Sequence, residues 1–338
     1  MRRIYAITVV LALVVGLGLG WSVGTAGAAE KKVVAMMDWT PQGRHIPFHV
    51  AAEKGWYQAE GLAVEIIRGY GGAQTVAGVD QGKATFGISE ITAVLLNRAK
   101  GGKVRAIGML GEKSVIGVGG LKEAGVRTPK DLEGKKIAIA AGSPTRQVLP
   151  ALCRANNVDC NKIQVVTLDP TLMVSSVLRG DAHASAVWKG SNYAVLVREA
   201  RKLGKETYWI GVSDWGVDIY GVAILAHDRT LQEDADLVRR FLRATYRGVE
   251  FAMERPDEGV AILIKRTPAL AKDADIVRQQ WDETAEVLKG PMWSARGYGW
   301  ILEDKMKRSR DVVLEAFNIK IDLPLSDYHT NEFLPGKR

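Results

Sequence analysis

The sequence predicts an α/β protein of two lobes, each a mainly parallel sheet flanked by helices, with a cleft between them. Three observations carry this. Between residues 33 and 109, short apolar runs of strand length alternate with helical segments, the order that builds a parallel sheet covered on both faces. From residue 136 the series of strand, small polar loop, proline and helix begins again, marking a second lobe. Two apolar runs, 115–119 and 220–226, read as the chain leaving the first lobe and returning to it. The expected division is 29–119 and 221–338 in the first lobe and 120–220 in the second. A chain of 338 residues with 47% hydrophobic content can fill two cores.

Taken in order, residues 33–37 form the first strand. It stops at Asp38-Trp39-Thr40-Pro41, a cluster that continues neither strand nor helix cheaply. Pro47 suits the first turn of a helix, where its missing N–H costs nothing, and that helix carries Phe48, Val50, Ala51 and Trp56 toward a core. Residues 62–67 alternate as a second strand. Gly69-Tyr70-Gly71-Gly72-Ala73-Gln74-Thr75 then opens a helix, with Gln74 where a dinucleotide fingerprint needs its third glycine. This turn reads either as backbone needing positive φ or as N–H groups aimed at an anion. A strand over 84–88 ends at Ser89-Glu90, followed by a helix over 91–98 and a strand over 104–109.

In the second lobe, Thr128 and Pro129 start a helix. The strand 136–141 closes at Gly142-Ser143-Pro144-Thr145-Arg146, and another strand spans 163–167. A helix over 172–179 ends at Gly180, a residue suited to a C-cap. The next strand ends at Trp188, and a further one spans 208–212. The tail is helical over 234–254, 256–266, 273–288 and 298–317.

Arg2-Arg3, the apolar stretch 4–21 and Ala26-Gly27-Ala28 supply the three parts of a secretory signal over residues 1–28. The apolar stretch is also long enough to anchor in a membrane, but a small-residue site directly before Glu30-Lys31-Lys32 favours cleavage. An exported, soluble, periplasmic protein follows. The formal charge is +8, or +6 once Arg2 and Arg3 leave with the signal, and the basic residues are interleaved with acids. A nucleic-acid binder would concentrate that charge and mix it with aromatics, so a nucleic-acid partner is not expected. Cys153 and Cys160, the two cysteines, lie close together in a compartment where disulfides persist. A local disulfide is expected, two buried thiols being the alternative; two cysteines are too few for a structural zinc site.

Several stretches carry a resemblance. Asp38-Trp39-Thr40-Pro41, His45, Ala52-Glu53-Lys54-Gly55-Trp56-Tyr57 and Glu60-Gly61-Leu62 resemble, in that spacing, the start of the solute-binding proteins of nitrate/taurine/thiamine-precursor ABC importers. Gly82-Lys83-Ala84-Thr85-Phe86-Gly87, Gly180-Asp181-Ala182 before the strand to Trp188, and Asn331-Glu332-Phe333-Leu334-Pro335 are similar too. The resemblance implies the hinged type II periplasmic binding fold and a small-molecule ligand. It implies an inner-membrane permease and its cytoplasmic ATPase as partners, a monomer, no cofactor and no enzymatic activity.

The chemistry of the loops agrees with binding. His45 and His49 are four residues apart, but Pro47 puts a helix start between them and the metalloprotease glutamate is missing. No glycine-flanked nucleophilic serine or carboxylate pair can be argued. Ligands of open α/β sheets sit beyond the carboxyl ends of the strands, which here offer Asp38, Trp39, Thr40, His45, Tyr70, Ser89 and Glu90 from one lobe. The other lobe offers Gly142, Ser143, Thr145, Arg146 and Trp188, with Tyr193, Trp215 and Tyr220 as weaker candidates. Trp39 and Trp188 would sandwich a planar ligand from opposite lobes, core packing being the rival reading for each. Ser143 and Thr145 would hold an acid group at a helix N-terminus, or merely cap the helix. Glu90 would take donors from a ring amine, or stand in a solvated loop.

One departure bears on the ligand. The pyrimidine-binding branch of the resembled family has a glutamate just after the matching tryptophan, where this chain reads Trp188-Lys189-Gly190-Ser191-Asn192-Tyr193. With Arg146, this tilts the expectation toward a planar aromatic carboxylate, sulfonate or similar anion. A thiamine-precursor pyrimidine or other N-heterocycle is the alternative. A different class is a synthase-like enzyme of the same fold, whose cysteine-rich motif this chain lacks, or a periplasmic sensor.

Overall fold

The computed structural model describes residues 30–336 except Gly142, without the side chains of residues 291 and 292. The expected signal and its cleavage site lie outside the described residues. The chain begins with β1 (Lys31–Met36), α1 (Ile46–Glu53), α2 (Trp56–Ala59), β2 (Leu62–Ile67), α3 (Gly72–Asp80), β3 (Phe86–Glu90), α4 (Ile91–Ala99) and β4 (Val104–Met109). Next come β5 (Ile116–Leu121), β6 (Lys136–Ile139), α5 (Pro144–Ala155), β7 (Gln164–Thr167), α6 (Pro170–Leu178), β8 (Ala184–Trp188), α7 (Asn192–Lys202) and β9 (Thr207–Gly211). The last part holds β10 (Val222–His227) and α8 (Asp228–Glu233), α9 (Ala235–Glu254), α10 (Pro256–Arg266), α11 (Ala274–Val287), α12 (Pro291–Arg296) and α13 (Glu303–Ala316).

Two five-stranded sheets result, in the orders β2-β1-β3-β10-β4 and β7-β6-β8-β5-β9. In each, four strands run in one direction, as βαβ crossovers demand, and the fifth, from a distant part of the chain, inserts antiparallel. These are β10 between β3 and β4, and β5 between β8 and β9. Each sheet has its own apolar core. The first is centred on Phe86, stacked 4.0 Å from Phe241 of α9, whose buried Leu237, Phe241, Leu242, Tyr246 and Val249 recur at helical spacing. Truncating Phe241 to alanine would cost about 3–5 kcal/mol by the usual scale of such cavities. The second core joins Ile137, Ile139, Val148, Leu152, Leu196 and Ile210.

Several boundaries differ from the sequence reading by a residue or two, and two differ by more. The expected edge at 119/120 falls inside β5, which belongs wholly to the second sheet, so the chain crosses over between Met109 and Ile116. The reason is local: a Cβ on Gly117 would lie 2.4 Å from the Trp209 ring, so β5 accepts bulky neighbours that only a glycine strand allows. The helix expected from residue 298 starts at Glu303. Ahead of it, the N–H of Ile301 is held by Asn331 and that of Leu302 by the Tyr220 hydroxyl, which keeps this backbone out of the helical ladder.

Candidate functional site

The carboxyl ends of β1 and β3 lie side by side in the first sheet, so their loops share one end of it. After β1, Asp38 is pinned by its carbonyl, which accepts from Gly71 N–H at 2.9 Å. A 3₁₀ turn over Gly43–His45 then bends back and returns two side chains to the Asp38 carboxylate. Arg44 donates through Nη2 (2.8 Å) and Nε (3.3 Å), and His45 Nε2 lies at 2.9 Å. All three residues are buried. Burial opposes ionisation of Asp38, but Arg44 and His45 outweigh it and bring its pKa down to about 2. Burial lowers the pKa of His45. A neutral imidazole donates Nε2–H to the acceptor-only carboxylate, and its Nδ1 is left buried without a partner.

Arg44 also reaches the second sheet. Its guanidinium carbon lies 5.6 Å from the Trp188 ring centroid, and Nη1 is 3.5 Å from Gly190 O. Gln42, with its amide turned to satisfy both neighbours, donates to Ser191 Oγ (2.9 Å) and accepts from Arg44 (2.6 and 2.7 Å). From α11, Gln280 accepts from Gly43 N–H (2.9 Å) and donates to Ser191 O (3.2 Å), and Glu283 accepts from Gly190 N–H at 2.6 Å. Gly190 is required here: its φ is +74°, and an added Cβ would lie 2.6 Å from Thr284 Oγ1. The turn after β8 is thus seated on the first sheet's helices beside the Asp38 cluster.

Glu90 ends β3 and is 1% exposed. Its Oε2 accepts from Ser114 Oγ at 3.4 Å, and Oε1 is buried without a partner. Burial raises its pKa to about 8, with the Asp38 charge adding to the rise and Arg44 opposing it. Ser89 is buried beside it and bonds the Glu90 carbonyl. Trp39 and Thr40 are half-buried just past Asp38, and Trp188 is half-buried at the end of β8.

The remaining candidates do not join this group. Tyr70 is 64% exposed with the Arg68 guanidinium 4.2 Å from its ring centre. Ser143 caps α5 by accepting from Thr145 N–H, Thr145 is buried, and Gly142 lies outside the described residues. Arg146 is committed to its own sheet, donating to Thr167 Oγ1 (2.7 Å) and Ile139 O (3.3 Å). Tyr193 packs on Trp209. The carbonyl of Trp215 holds Asn156, at the opposite end of α5 from Ser143. Tyr220 is buried beside Lys305 of α13, its hydroxyl accepting from Leu302 N–H. Cys153 and Cys160 are bonded, with Cα atoms 5.7 Å apart. Two surface hollows, of about 140 and 330 Å³, lie away from the cluster, beside Trp293 and beside Ile319.

Sequence reasoning missed Gln42, Ser114, Ser191, Gln280 and Glu283 as members of this group, and did not single out Arg44 as a site candidate. No motif marks them, since they meet only when the second sheet's turn seats on α11.

A sequence profile described as NMT1/THI5 like matches residues 42–259. The formylaminopyrimidine-binding protein of Halalkalibacterium halodurans is 23% identical over 271 residues, 80% of this chain and 80% of that protein. The 4-amino-5-hydroxymethyl-2-methylpyrimidine phosphate synthase of Legionella pneumophila is 23% identical over 310 residues, 90% of this chain and 93% of that protein. Among solved structures, the periplasmic aliphatic sulphonate binding protein SsuA of Escherichia coli superposes with a TM-score of 0.67 at 15% identity, over 88% of this chain and 96% of that one. It shares the fold.

Proposed function

Because the chain belongs to the NMT1/THI5-like family, we propose that it is the binding component of an ABC importer, capturing a small planar solute between two lobes. The observation that carries this is Arg44, which ties the Asp38 carboxylate of the first sheet to Trp188 and Gly190 of the second. A contact of that kind closes a cleft over a ligand and opens with the lobes. The first lobe comprises the strands up to β4 and the chain from β10 onward; the second comprises β5 to β9. The lobes hinge on the two crossovers, and the loaded protein delivers its solute in the periplasm to a permease with a cytoplasmic ATPase.

The ligand is a planar, uncharged N-heterocycle. Two of the cations that an anionic ligand would need are already paired, Arg44 with Asp38 and Lys189 with Glu286 at 3.5 Å, and Arg146 donates to Thr167 and Ile139 of its own sheet with its Nε left unpartnered. A neutral ring between Trp39 and Trp188 requires no such cation. The formylaminopyrimidine-binding relative supports this reading, and the Legionella synthase marks the enzymatic rival.

A thermal-shift panel of aminopyrimidines and other uncharged N-heterocycles, set against benzoate and benzenesulfonate, tests the proposal. A ligand at a hundred times its Kd adds about 2.7 kcal/mol of stability. Stabilisation by the anions alone would overturn the ligand class.

A further inference from the structure

Glu90 stands where both crossovers between the sheets pass. Ser114, on the first crossover, donates its backbone N–H to Ile219 O on the second (3.0 Å), and Ile91, the residue after Glu90, donates to Gly221 O (3.0 Å). The Ser114 hydroxyl accepts from Ile116 N–H at 3.3 Å, where the second sheet begins. Its single proton is therefore free to go to Glu90 Oε2, 3.4 Å away. Glu90 Oε1 is left buried with no partner, next to the Asp38–Arg44 pair. With Oε2 fixed as an acceptor, the acid proton of a neutral Glu90 belongs on Oε1.

Resting on the ligand class argued above, we propose that Glu90 selects the ligand: its Oε1–H donates to a lone-pair acceptor on the ring, a ring nitrogen or carbonyl oxygen, while Oε2 holds the crossover through Ser114. An acceptor-bearing ring gains a hydrogen bond at the hinge, and a carbocycle of the same shape leaves a buried polar oxygen unsatisfied. The sequence reading of Glu90 as an acceptor for a ring amine is thereby inverted. The charged groups facing Glu90 are Asp38 and Arg44, both from the loop after β1. The neighbouring β10 and α3 bring Val222 and Gly72 to it. Burial together with the Asp38 charge keeps the acid neutral up to about pH 8.

The experiment titrates the mature protein, Glu90→Gln and Glu90→Ala with 4-aminopyrimidine and with aniline, its carbocyclic counterpart, by tryptophan fluorescence at pH 6.5 and 9.5. At pH 6.5 the wild type should prefer 4-aminopyrimidine by roughly tenfold or more, and Glu90→Ala should lose that preference. Glu90→Gln, which keeps a neutral donor, should restore binding to within roughly threefold and make it independent of pH. Wild-type affinity should fall roughly tenfold or more at pH 9.5, where the acid has ionised. Equal binding of the two rings, or full affinity in Glu90→Ala, would overturn the proposal. An infrared difference spectrum of wild type against Glu90→Gln needs no ligand and should show a neutral carboxylic acid at pH 6.5; its absence would overturn the proposal on its own. If that band is present and neither ring binds, the protonation holds and the ligand class of the preceding subsection falls.

Discussion

Glu283 of α11 accepts a hydrogen bond from the Gly190 backbone N–H at 2.6 Å, linking a helix packed on the first sheet to the turn that follows β8 in the second. The contact is buried, and Gln279 holds the other carboxylate oxygen at 3.0 Å. With Gln280 and Arg44 it gives the two sheets a joint that does not involve the crossover strands.

Removing that joint should favour an open form. A hydrogen bond to a charged group contributes about 1.5–3 kcal/mol, so Glu283→Ala should weaken ligand binding about tenfold or more. The ligand-free variant should also show a larger radius of gyration in small-angle scattering than wild type. An unchanged radius with unchanged affinity would make Glu283 an ordinary packing residue.

Asp38 should dominate the acid limb of stability. Its folded pKa of about 2 lies below the usual unfolded value of about 3.9. Its contribution is therefore fully present above about pH 3.9 and lost as pH falls through about 2. Asp38→Asn should lose less stability than wild type between pH 4 and 2, measured by urea unfolding at each pH. Asp38→Ala at pH 7 should cost about 3–5 kcal/mol, because it leaves the Arg44 cation buried without its counter-ion.

Much of the fold was legible in the residues. The apolar spacing along 234–254 and the proline at 256 mark α9 and α10, which end within a residue of where the sequence puts them. The glycine run of β5 carries no periodicity that assigns it to one sheet or the other, so only tertiary packing against Trp209 decides it. At the site, Asp38, His45, Glu90 and Trp188 were legible because each either ends a strand or lies in the loop after one. Arg146 and Tyr220 stand in equally suggestive places, yet Arg146 turns to Thr167 and Tyr220 packs beneath α13. Partners such as Glu283, 93 residues from Gly190, leave no local trace.

The disulfide makes a separate prediction. Cys153 and Cys160 enclose a short loop, seven residues apart, at the end of α5. Closing a loop of that size stabilises by about 2–3 kcal/mol in the chain-entropy account. Alkylation of the oxidised protein should find no free thiol, and mild reduction should lower the melting temperature. Two alkylated cysteines without prior reduction would contradict this.

Trp39 should separate binding from folding. It is half-buried in a polar loop, outside the first core. If it stacks on the ligand, Trp39→Ala should remove about 2–4 kcal/mol of binding, which is roughly thirtyfold or more in Kd. The melting temperature of the ligand-free protein should move by only a few degrees. Calorimetric titration beside a thermal melt reads both, and a large loss of ligand-free stability would assign Trp39 to structure.

The claim that this chain captures a planar uncharged solute and returns it unaltered is tested most directly by loading and recovery. The processed protein is saturated with the best heterocycle of the thermal-shift panel, freed of excess, unfolded, and its released contents weighed by mass spectrometry alongside the intact chain. One equivalent of unchanged heterocycle per chain and a chain of unaltered mass are expected. A transformed product, a chain of altered mass, or an anion retained in place of the heterocycle would contradict the claim.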